Sequence, residues 1–158
     1  MVSLIAVFVV VFCTCGCLRN SDYNLRRQER VFANQLFDYL QDEDVDSLED
    51  LFSGQVSADN DIETELEVFF ASIDGDIESY DHIQITVSEK NVDNHQVTLA
   101  MMHVVFYDVV TDSGTEYDYV VYERFVIADD NSEDIGLFSI RIVNSDDDFD
   151  VSAGGYAG

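Results

Sequence analysis

The chain has 158 residues, 47% of them hydrophobic and 25% charged, with a formal net charge of −26. That length fits one domain with an ordinary core, and the apolar share excludes a disordered chain despite the charge. With 33 acidic residues against 7 basic ones, the chain lacks the Lys and Arg needed to neutralise phosphates, so a nucleic-acid partner is excluded.

Residues 1–12, MVSLIAVFVVVF, carry a single polar side chain, Ser3, and all three cysteines follow at once as Cys13, Cys15 and Cys17. An apolar run closed by small residues reads as a secretory signal. TCGC, with Gly16 directly before Cys17, resembles the lipobox of bacterial lipoproteins, in which that cysteine carries the lipid. Cys13 follows the bulky Phe12 and Cys15 follows Thr14, so Cys17 fits best. Three thiols cannot complete a tetrahedral thiolate site or an even disulfide framework, and no C-x-x-C motif is present. The alternative is an uncleaved anchor: Arg19, Arg26, Arg27 and Arg30 all follow the run, a bias that orients such a segment with its C-terminal side in the cytoplasm.

The expected organisation is a signal with lipobox over 1–17, a tether over 18–24, a domain over 25–143 and a disordered acidic, Gly-rich tail over 144–158. Leu25, Phe32, Leu36 and Leu40, widened by Val31, Phe37 and Tyr39, repeat at helical spacing. DEDVDSLEDLFSG predicts a second helix with Asp44 as N-cap. A third is expected after Asn60, which has capping-box spacing to Glu63, with Gly75 as its stop.

Beyond Gly75 the period changes to two. IESYDHIQITVSE predicts one strand or two short ones, and QVTLAMMHVVFYDVVT a long one. TDSGTE predicts a hairpin turn, YDYVVYERFVIA the returning strand, and IGLFSIRIV the last. The expected fold class is therefore α+β, with three N-terminal helices packed on a curved antiparallel sheet of four or more strands.

Leu51-Phe52-Ser53, IDGDIESYD at Ile73–Asp81 and IGLFSIRI at Ile135–Ile142 resemble an uncharacterised family of bacterial lipoproteins, over roughly Arg27–Val143. The resemblance implies a nuclear transport factor 2-like, or cystatin-like, cone. It implies no reaction and no catalytic residues.

If TDSGTE closes a tight hairpin, Val104 pairs near Glu123, His103 near Arg124 and Tyr122 near Arg141. Met102, Val104, Phe106, Val121, Phe125, Ile127, Phe138, Ile140 and Ile142 then share the core face with Glu123, flanked by Tyr119 and Asp108. A carboxylate inside an apolar cone is what a proton-abstracting enzyme needs, because burial raises its pKa; a one-residue slip would move Glu123 to solvent. His103, Arg124, Ser139 and Arg141 would share the opposite face, as an anion site or as cross-strand polar pairs. His82 and His95 are expected to be exposed.

No metal-ligand motif, phosphate loop or nucleophile elbow is present, so neither a metal nor another cofactor is expected. DNDIETELEVFF lacks the glycine and glutamate of an EF-hand loop and DDNSEDIG has its glycine misplaced, so DDNSED and SDDDFD offer calcium only weak, loose binding. The leading expectation is a membrane-anchored extracytoplasmic domain, tethered by the Cys17 lipid, that binds a small molecule or a protein. The alternative is a small isomerase or hydratase with Glu123 as base and Tyr119 assisting.

Overall fold

The computed structural model describes residues 22–93, 96–127 and 132–155. Cys17, His95 and the first half of DDNSED lie outside them. Four helices come first: α1 (Asp22–Gln41), α2 (Val45–Glu49), α3 (Gly54–Asp59) and α4 (Ile62–Ser72). Six strands follow: β1 (Ile77–Ser79), β2 (His82–Asp93), β3 (Gln96–Thr111), β4 (Glu116–Ile127), β5 (Gly136–Asn144) and β6 (Phe149–Gly154). All ladders between them are antiparallel, in the order β1-β3-β4-β5-β6, with β2 also paired to β3. The fold is α+β with an open sheet. Among the described residues no helix is long and apolar enough to cross a membrane.

The helix count departs from expectation at one place. Asp44 caps α2 as anticipated, accepting from the Ser47 amide at 3.1 Å, but α2 stops at Glu49 and Ser53 then caps the additional helix α3. Val56 is the one buried residue of that six-residue helix, which leaves too little apolar period to detect. The cap of α4 is Asp61 rather than Asn60. On α1 the buried stripe is Leu25, Glu29, Ala33, Leu36, Phe37 and Leu40, and Val31 points to solvent. That helix also takes in residues 22–24, assigned to the tether from sequence.

Two strings that carry the family resemblance meet in space. Leu51-Phe52-Ser53 runs beside the start of β5 in a short parallel bridge: the Ser53 amide donates to the Leu137 carbonyl at 2.9 Å, and the Leu137 amide to the Leu51 carbonyl at 2.8 Å. Gly136 makes the approach possible, with φ +141° and the place of a Cβ 2.7 Å from the Ser53 nitrogen. Gly136→Ala should lower the unfolding free energy by about 2 kcal/mol, through strain and overpacking. Chemical denaturation checks this, and an unchanged midpoint would contradict the bridge.

The expected disordered tail is partly a strand. β6 pairs with β5 from Asn144↔Phe149 to Ser139↔Gly154. Buried Asn144 ties the intervening turn, donating to the Glu116 carbonyl at 3.0 Å and accepting from the Asp146 amide at 3.1 Å. Phe149, Val151 and Ala153 alternate toward the core, a period of two easily missed inside an acidic, Gly-rich context.

The β3–β4 hairpin fixes which side chains face inward. Thr111 and Thr115 close a three-residue loop, Asp112–Gly114, with Gly114 at φ +85°, rather than the expected tighter turn. Three-residue hairpin loops characteristically end on such a left-handed residue. The extra residue shifts β4 by one position: Val104 pairs with Tyr122, and His103 with Glu123. On the next ladder Tyr122 pairs with Ile140, not Arg141. Because strand side chains alternate, the slip turns β4 over. Val120 and Tyr122 join Met102, Val104, Phe106, Ile140 and Ile142 in the core under the helices. Of the residues expected on that face, Val121, Phe125, Ile127 and Phe138 are only half-buried.

Candidate functional site

A carboxylate is buried in the core, and it is Glu29 of α1 rather than Glu123. Glu29 is 1% exposed. The Tyr122 hydroxyl donates to its Oε1 at 2.7 Å. Arg124, two residues along the same face of β4, places Nε 3.2 Å from Oε2, out of line for a hydrogen bond. The guanidinium lies 3.7 Å from the centre of the Phe32 ring, and Phe32 in turn packs on Tyr122 with ring centres 5.7 Å apart. Helical spacing puts Glu29 and Phe32 on one face of α1, and the one-residue slip of β4 presents Tyr122 and Arg124 to them.

Burial pushes the Glu29 carboxyl above its ordinary range, and this outweighs the opposing pull of Arg124 and of the bond from Tyr122. The Tyr122 phenol is also raised, by burial first and by the Glu29 charge second. An elevated carboxyl beside a phenol is the electronic arrangement of a proton-transfer pair. Its accessibility is wrong for that use. At 1% exposure Glu29 has no surface from which a substrate could be reached.

The other residues singled out from sequence scatter. Glu123 leaves the core and sits on the outer face of the sheet, where its Oε1 lies 3.1 Å from His103 Nδ1, both side chains partly exposed. Tyr119 is on the same outer face, packed edge-on against Tyr107 with ring centres 6.4 Å apart. Arg141 pairs with Asp150 of β6 on the exposed surface, and the guanidinium holds the Asp150 carboxyl below its usual range. Arg124, expected outside with His103 and Arg141, is inside. The proposed cationic cluster is therefore split across the sheet, and its outer members are already paired.

Asp108 is exposed at φ +53° and comes close to Asp81 and His82, with potential ligand atoms within 4.8 Å of one another. All three are exposed, as expected for His82, whose ring stacks on Tyr107 at 4.6 Å. This juxtaposition spans two strands and was invisible in the sequence. SDDDFD is largely committed to the β5–β6 turn, where Asp147 Oδ2 lies 3.3 Å from Asn144 Nδ2 and Asp150 is held by Arg141.

Residues 35–145 match the model of DUF5104, a domain of unknown function. The chain belongs to that family. The DUF5104 match includes all three strings noted in the sequence, together with Tyr122 and Arg124, and begins after Glu29 and Phe32. No curated protein matches the chain.

The signal that should have found Glu29 is its position. It stands four residues after Leu25 and four before Ala33, an acidic residue on the apolar stripe of its helix.

Proposed function

We propose that this DUF5104 chain is a lipoprotein domain, held on the extracytoplasmic side of the membrane by a lipid on Cys17, that binds a ligand or protein partner. Gly16-Cys17 at the end of the apolar run carries this reading. A domain whose described core has no cysteine is indifferent to an oxidising compartment. Helices followed by an antiparallel sheet accord with a nuclear transport factor 2-like, or cystatin-like, topology.

The isomerase or hydratase alternative required Glu123 to line an enclosed pocket, and Glu123 stands on the outer face beside His103. Glu29, the carboxylate that is enclosed, is sealed by its own partners. Both placements favour binding over catalysis. Protease added to spheroplasts should digest the domain while cytoplasmic proteins survive; protection of the domain until lysis would overturn the extracytoplasmic placement.

A further inference from the structure

A cleft of about 500 Å³ opens between the C-terminal half of α1 and β1, within the size range of small-molecule sites. Asn34, Phe37, Asp38 and Gln41 line one wall, and Glu78, Ser79 and Tyr80 the other. The positions on α1 are three and four residues apart and so share one helix face. The walls are tied together by Gln41, whose side-chain amide donates to the Glu78 carbonyl.

The lining contains two carboxylates and no Lys or Arg. It also contains an aromatic pair, the Phe37 and Tyr80 rings meeting edge to face with centres 4.6 Å apart. Tyr80 is held from behind by Phe106, whose ring centre lies 4.9 Å away, so its orientation is set before anything binds. Carboxylates beside a fixed aromatic ring select a positive charge with an apolar body, because the ring face attracts cations and also takes methylenes by apolar contact. A hydrated metal ion gains nothing from the rings. The net charge of −26 adds long-range attraction for any cation.

We infer that the cleft between α1 and β1 binds a small organic ammonium ion, with Asp38 and Glu78 neutralising the charge and the half-buried Tyr80 ring taking the alkyl part, while buried Phe37 backs that ring. The inference rests on reading the domain as a binding module and is independent of the lipid on Cys17.

The test is calorimetric titration of the full-length chain in detergent with 1,4-diaminobutane and with tetramethylammonium, at fixed ionic strength in NaCl. Saturable binding near one equivalent is expected for at least one probe. Asp38→Asn with Glu78→Gln should weaken it by about tenfold or more, and Tyr80→Leu, which keeps apolar bulk over Phe106, by about fivefold. Glu123→Gln, on the far side of the sheet, should leave it unchanged. Absence of saturable binding by both probes would overturn the inference, as would equal competition by sodium, or equal weakening by Glu123→Gln and by the cleft substitutions. A chain that remains lipid-anchored but binds neither ammonium ion removes the ligand assignment alone. A chain that binds but is not acylated removes the anchor alone.

Discussion

Glu29→Ala should destabilise the domain by about 3–5 kcal/mol, the usual consequence of removing one partner from a buried charge pair. The variant leaves the Tyr122 hydroxyl without its acceptor and the Arg124 guanidinium without its counter-ion, both beneath α1. Glu123→Ala, on the outer face of β4, should cost less than about 1 kcal/mol, because its pair with His103 is partly exposed. Urea denaturation of the two variants gives the comparison. A larger loss from Glu123→Ala than from Glu29→Ala would mean that β4 presents the opposite face to the core.

The same carboxylate gives a pH signature. Its native-state pKa is raised above the ordinary 4.5, so between those values the folded chain holds a proton that the unfolded chain has released. Stability from this group is fully present below the unfolded value and is lost as pH rises through the native one. Glu29→Gln keeps an acceptor for Tyr122 and removes the titration. The stability of the parent chain relative to Glu29→Gln should therefore be greater at pH 5 than at pH 8. The remaining acidic residues are common to both chains, and their self-repulsion cancels in the difference.

Cys17→Ala should move the protein from the membrane fraction almost completely to the soluble one. The sulfur is the acceptor for the lipid in the proposed reading, and alanine offers no nucleophile in its place. The substitution falls in the segment read as the anchor and outside the described domain, so circular dichroism and the denaturation midpoint should not change. Retention in the membrane would instead favour the uncleaved anchor, with Arg19 and its neighbours on the cytoplasmic side.

Much of the fold was legible because periodicity survives wherever an element is long. The stripe Leu25, Leu36, Leu40 located α1, and QVTLAMMHVVFYDVVT coincides with β3. Short elements were not legible. α3 buries one residue, and β6 hides its alternation among aspartates and glycines. The site failed for a different reason. Whether a hairpin closes on two residues or three is decided by local backbone energetics of TDSGTE, yet that single residue exchanges Glu123 for Tyr122 and Arg124 in the core. Glu29 could have been found on its stripe, but its partners come from β4, 93 residues away in the case of Tyr122, and only the folded register reveals them.

Mass spectrometry of the mature N-terminal peptide from membranes tests the anchoring claim most directly. The expected result is a chain that begins at Cys17 and bears fatty-acyl mass on that residue. Recovery of unmodified peptides spanning residues 1–16 and Cys17 from the mature protein would contradict it.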